Sequence, residues 1–251
     1  MSRAVVRMTI DDALHITPER RDEIIASYPP HEVEARTMGI PVLGSGKIYP
    51  VTEASISVEA FPIPRHWAMI GGLDFGWTHP TAAVALAWDR DSDVVYVTSV
   101  YKRSEATPLE HAATLKQWGG FPWAWPHDGE QSGKGDGKKL RDAYSSTQMQ
   151  MLAVQASHPE GGNGVEAGLM EILERMQTGR FKVFSHLSDW WSEFRLYHRK
   201  DGKIVKERDD ALDATRYAVM MLRYAERPEI YDNDDWRDDA QEHGRNDATG
   251  Y

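Results

Sequence analysis

The sequence contains no cysteine. That excludes disulfides, a thiol nucleophile and thiolate zinc sites, and leaves carboxylates and ten scattered histidines as the available metal ligands. Such a set favours hard, oxygen-bound cations. Long hydrophobic runs are missing too: nothing approaches the roughly 20 consecutive apolar residues that span a bilayer, and MSRAVVRMTIDD has no signal-peptide core. A soluble, intracellular protein is expected. Net positive charge is also lacking. The formal charge of −10 argues against a nucleic-acid partner until its distribution is considered. Residues 226–251 hold nine acidic and three basic residues, so they carry −6 and leave −4 for residues 1–225. The acidity belongs to the tail, which reads as disordered.

What is present suffices for a core: 251 residues, 41% of them hydrophobic, suggest one substantial domain with appendages. Residues 1–65 are punctuated by Pro29-Pro30, Gly39, Pro41, Gly44 and Gly46, with a helix expected from Pro18 to Ser27 behind Thr17 as N-cap. This segment is too short for a large core of its own and reads as a connector. From His66 the runs WAMIGGLDFGW, TAAVALAWD and DVVYVTSVYK predict three strands in an antiparallel meander. Helical signals at 108–118, 137–145 and 164–177 then alternate with strand signals at 121–127, 149–155 and 181–184. Segments 194–199 and 203–206 flank Asp201-Gly202, a hairpin turn, and 209–223 reads as a final amphipathic helix. The expectation is an α/β fold over residues 66–225, a mixed sheet flanked by helices.

Three groups of acids stand out. Asp74 lies inside the apolar run MIGGLDFGW, where an ionised carboxylate is costly unless paired or metal-bound. Asp128 follows the aromatic run FPWAWPH and precedes the mobile-looking, basic SGKGDGKK, which suits a substrate cleft. Each is equally readable as a turn residue. Asp209, Asp210 and Asp213 cluster at the start of the last helix, where any of them can simply cap it. Their spacing also lets two or three share one face. Clustered carboxylates repel, and divalent cations between them relieve the repulsion.

Basic clusters sit beside these acids. Lys134, Lys138, Lys139 and Arg141 follow Asp128, while Arg195, Arg199, Lys200, Lys203, Lys206 and Arg208 precede Asp209. Together they can line a groove for phosphates, or form an ordinary solvated surface. Trp77, Trp123, Trp125, Trp190 and Trp191 could stack on bases, but they fit strand and helix patterns and are expected mainly in the core. His79 and His127 are assigned no catalytic role.

Taken in order, the segments ASYPPHEVEARTMGIPVLGSGKIYP, GGLDFGWTHPTAAVALAWD, PHDG, NGVEAGLMEILERMQTGRFKVF and LYHRKDGKIVKERDDALDATRYA resemble the nuclease domain of the large terminase subunit of tailed bacteriophages. The resemblance spans about residues 10–225 and implies a ribonuclease H-like fold with an added β-hairpin near the site. It implies Asp74 and Asp128 as first- and second-strand acids and a helix acid within DDALDATRYA, Asp213 and Asp210 before Asp209. It further implies two-metal cleavage of concatemeric double-stranded DNA with Mg2+ or Mn2+, in the cytoplasm of an infected bacterium. The partners implied are a packaging ATPase domain, a small terminase subunit and a portal protein. No G-x-x-x-x-G-K-[ST] phosphate loop is present. On this reading the chain is the C-terminal part of a larger protein, with residues 1–65 carrying the end of the ATPase and a linker.

Rival readings remain at this level. LDFGWTHPT also resembles the phosphate-binding turn of sugar-kinase and actin-like ATPases, although only HDGE offers a second phosphate loop. A transposase or integrase core would share the acids, and a non-catalytic assembly module would use them as caps and turns.

Overall fold

The structure, a computed structural model, describes residues 9–13, 15–28, 37, 46–130, 139–158 and 164–228. Local capping sets several helices. In α1 (Pro18–Ala26) the Thr17 hydroxyl accepts the Arg20 N–H at 3.3 Å, with Pro18 at the first helical position. Thr52 caps α2 (Glu53–Ile56) in the same way, and β1 (Ser57–Val58) follows. The meander forms as expected: β2 (Ala68–Asp74), β3 (Thr81–Asp89) and β4 (Val94–Arg103). Thr107 and Glu110 form a reciprocal capping box at the start of α3 (Pro108–Leu115). Next come β5 (Trp123–Ala124), a 3-10 turn at His127–Glu130, α4 (Leu140–Ser145) and α5 (Val165–Gln177). The chain finishes with β6 (Phe181–Phe184), α6 (Ser188–Leu196), the hairpin β7 (Arg199–Lys200) and β8 (Lys203–Ile204), and α7 (Asp210–Met220). Asp201 and Gly202 make the hairpin turn with φ of 51° and 76°.

Six strands form one mixed sheet in the order β1-β6-β4-β3-β2-β5. The meander is antiparallel, while β5 runs parallel to β2, β6 to β4 and β1 to β6. Alternate side chains serve two cores. Ile70, Val84 and Leu86 pack with Leu169, Ile172, Leu212 and Val219 of α5 and α7. Leu73, Ala83 and Ala85 pack with Leu115 and Tyr144 of α3 and α4. Helices therefore cover both faces, which is why β2 is apolar at every position before Asp74. Ile48, Tyr49, Val51 and Ile56 are buried in the larger core, so its packing begins upstream of His66.

Gly72 decides how closely α7 approaches β2. A Cβ there would lie 2.0 Å from the Ala214 carbonyl oxygen, so only glycine lets the helix carrying Asp213 rest against the strand carrying Asp74.

Some elements differ from expectation. The strand expected at 121–127 is reduced to Trp123–Ala124, because Pro122 and Pro126 on either side have no N–H to donate to a ladder. Asp128 consequently sits on a 3-10 turn rather than at a strand's end. The segment 149–155 makes only one bridge, Met151 with Trp123. Residues 194–196 are helical rather than extended: Trp190, Trp191 and Phe194 recur at helical spacing, and all three are buried in the larger core. Lys134, Lys138 and the tail from residue 229 lie outside the described residues.

Candidate active site

Three elements bring the acids together. Asp74 ends β2, opposite Ala82 of β3. The parallel partner of β2, β5, leads into the turn that carries Asp128. Asp213 lies on the first turn of α7, the helix resting on Gly72.

The electrostatics report their proximity. Burial first, then the charges of Asp213, Asp128 and Asp210, push the Asp74 carboxyl up to about 8, with Lys206 acting the other way. Burial also raises Asp128, against stabilisation by its own and Gly129's backbone amides. One Asp128 oxygen, Oδ1, is buried with no hydrogen-bond partner. Asp209 is raised by burial and then by Asp213; its Oδ2 makes no hydrogen bond and lies 3.7 Å from Lys206 Nζ. Such buried, mutually repelling carboxylates with open lone pairs are chemically suited to a hard divalent cation. Among the described residues, no three His, Asp or Glu side chains form a ready-made cation cage.

The helix acids divide by partner. Asp213, 5% exposed, accepts from Lys206 Nζ at 2.9 Å and pairs with Arg216 Nη2 at 3.0 Å. Asp210 pairs instead with Lys102 Nζ at 2.8 Å, and Lys102 also contacts Glu193. None of the three aspartates caps α7. That role falls to Glu193, whose Oε2 accepts the N–H groups of Ala211 and Leu212 at 2.8 and 3.1 Å. Burial pushes the Glu193 carboxyl up to about 7 in spite of Lys102 and the amide of Leu212.

The expected basic groove is only partly available. Lys139 pairs with Glu130, and Arg195 with both oxygens of Glu53 at 2.6 Å. Arg199 donates to Glu166 at 2.9 Å, and Lys206 points into the acids. Lys200, Lys203 and Arg208 are exposed and carry no ion pair among the described residues. Arg141 lies over the Trp125 ring and pairs with Asp142. Trp123, Trp125, Trp190 and Trp191 are core residues, as expected, whereas Trp77 is 60% exposed.

Lys102, Glu193 and Arg216 escaped sequence reasoning. Glu193 had a signal: it lies three residues after Trp190, on the apolar face of a helix, where a charge needs partners. Lys102 had none, since its partners are 91 and 108 residues downstream.

Known proteins share this architecture. The chain is 49% identical over 226 residues to the terminase large subunit of Salmonella phage P22, covering 89% of this chain and 45% of that protein. It is 49% identical over 222 residues to the terminase large subunit of Enterobacteria phage LP7, covering 88% and 47%. It thus spans slightly under half the length of these relatives. Among solved structures, the P22 large terminase nuclease domain superposes with a TM-score of 0.68 at 46% identity, covering 73% of this chain and 96% of that one. A large terminase from a thermophilic bacteriophage, in complex with ADP, shares the fold at 17% identity and a TM-score of 0.56, covering 86% of this chain and 55% of that one. Residues 2–56 match the family described as terminase large subunit, T4-like virus type, N-terminal. Residues 71–222, which hold Asp74, Asp128 and Asp213, match the terminase RNase H-like domain, and the chain belongs to that family.

Proposed function

We propose that this chain is a divalent-metal-dependent endonuclease that hydrolyses the phosphodiesters of concatemeric double-stranded viral DNA during genome packaging. The observation that carries the reading is the convergence of Asp74, Asp128 and Asp213 from a strand, a turn and a helix, with Asp128 Oδ1 buried and unpartnered. Kinship with the P22 nuclease domain supports it. LDFGWTHPT lies within the match to the RNase H-like family, which supports reading it as a strand-end acid motif over an ATPase phosphate loop.

Asp74, Asp128 and Asp213 would hold Mg2+ or Mn2+, with Asp209 at the margin and Asp210 engaged by Lys102. Bound there, two such cations would supply Lewis-acid chemistry, making a water more acidic and offsetting charge on the leaving oxygen. The protein's own contribution is placement. Arg216 and Lys206 fix the Asp213 carboxylate, Glu193 holds the first turn of α7, and Gly72 sets the distance between helix and strand. Lys200, Lys203 and Arg208 would meet phosphates, interactions that carry no sequence information, so cleavage has little sequence preference.

The working protein on this reading is longer. The match of residues 2–56 to a terminase N-terminal family supports an attached packaging ATPase, and the small terminase subunit and portal protein would direct the cut in the cytoplasm of the infected bacterium. Among the described residues no helix is long and apolar enough to cross a membrane.

The test is plasmid cleavage by the full-length large subunit and by this chain in Mg2+ or Mn2+. The full-length protein should nick and linearise the plasmid, and chelator should stop it. Asp74→Asn, Asp128→Asn and Asp213→Asn should each abolish cutting in that protein while leaving circular dichroism unchanged. Crystals soaked in Mn2+ should show anomalous peaks beside Asp74 and Asp128; cutting at undiminished rate by all three variants would sink the reading.

A further inference from the structure

The turn that leaves the acid cluster after Asp74 presents an indole to water. Trp77 is 60% exposed, whereas Trp123, Trp125, Trp190 and Trp191 are at most 3% exposed. The turn holds its backbone firmly. The Gly76 N–H donates to the Thr81 hydroxyl at 3.1 Å, and that hydroxyl donates to the Gly76 carbonyl at 2.9 Å. The Glu105 N–H donates to the Trp77 carbonyl at 3.0 Å. A Cβ at residue 76 would lie 2.3 Å from the His79 carbonyl oxygen, so this close turn requires glycine. Paired with Thr81 in the sheet is Arg103, half exposed and 3.0 Å from Glu110.

Distance ties this indole to the chemistry. Three residues span at most about 10 Å, so the Trp77 Cα lies within about 10 Å of the Asp74 Cα. On a DNA strand, which rises about 3.4 Å per nucleotide, that is about three nucleotides. A large, rigid apolar ring left in water there is poorly explained by packing. Next to a site for phosphodiesters it is well explained by a nucleobase, since every base offers an aromatic face.

We propose, resting on the nuclease reading above, that Trp77 is a DNA-contacting residue whose indole stacks on a base displaced from the duplex within a few nucleotides of the cleaved phosphate. A paired, stacked base offers no free face, so the stacking selects DNA that is already opened or easily opened at the cut. Arg103, on the neighbouring strand end, adds a cation on the same edge of the sheet.

The experiment measures binding of the chain to two labelled duplexes, one fully paired and one with a short central unpaired stretch. Fluorescence anisotropy is read in Ca2+ under conditions where a gel shows both DNAs uncut. Wild type should prefer the opened duplex. Trp77→Ala should bind it about tenfold more weakly and lose the preference, with affinity for the paired duplex little changed. Trp77→Phe should retain most of the preference, and thermal melting of all three proteins should coincide because the side chain is exposed. Equal affinity of Trp77→Ala and wild type for the opened duplex, or equal weakening on both DNAs, overturns the stacking role alone. Failure of wild type to bind either DNA overturns the nuclease reading itself.

Discussion

Glu193 caps Ala211: its Oε2 accepts the Ala211 N–H at 2.8 Å, so α6 supplies the cap for the helix that bears Asp210 and Asp213. The same carboxylate touches Lys102, which pairs with Asp210, so one buried acid links the sheet, α6 and the first turn of α7.

Removing it should be costly. Glu193→Ala leaves two helix N–H groups without their acceptor and Lys102 without its main buried partner, for a loss of about 3 kcal/mol. Glu193→Gln keeps the acceptor for the amides and should lose about 1 kcal/mol. Urea unfolding followed by circular dichroism measures both, and equal losses would show that the charge, not the cap, matters.

Gly72→Ala should separate α7 from β2. With the new Cβ 2.0 Å from the Ala214 oxygen, backbone must move, destabilising the fold by about 1–3 kcal/mol. Asp213 moves away from Asp74 with it, so Mn2+ affinity by calorimetry should fall more than stability alone explains.

The raised Asp74 carboxyl sets a pH dependence. Its folded value of about 8 lies above the unfolded 3.8, so between these values the folded state holds more proton than the unfolded one. Its contribution to stability is therefore full below the lower value and lost as pH rises through the upper. In chelator, melting temperature should drop between about pH 5 and pH 8 more for wild type than for Asp74→Asn. Adding Mn2+ should narrow that difference, because a cation compensates the charges; the titration belongs to the acids as a group. Identical profiles for the two proteins would refute the shift.

The hairpin should govern salt dependence. If Lys200, Lys203 and Arg208 meet phosphates, changing all three to alanine should weaken duplex binding at every sequence. It should also flatten the log–log salt slope by about 0.9 for each phosphate no longer neutralised. An unchanged slope would place the DNA elsewhere.

Much of this could be read from sequence because the signals are local. The apolar meander, the Thr17 cap and the Asp201-Gly202 turn each depend on residues a few positions apart. Asp74 stood out because a charge in an apolar strand is physically anomalous. Where proline interrupted a run, at Pro122 and Pro126, apolar composition overstated the strand. The helix α6 was missed because its aromatics suit either pattern and only the packing of Trp190 and Phe194 selects one.

The sequence by itself determined the order of the elements and the supply of acids for one site, since periodicity, caps and the cost of burying charge act over short stretches. Tertiary structure alone decided that Asp213 pairs with Lys206 and Arg216 while Asp210 is held by Lys102, and which tryptophan stays in water. Those outcomes depend on distances across the chain, such as the approach of α7 that Gly72 permits, and no local pattern encodes them.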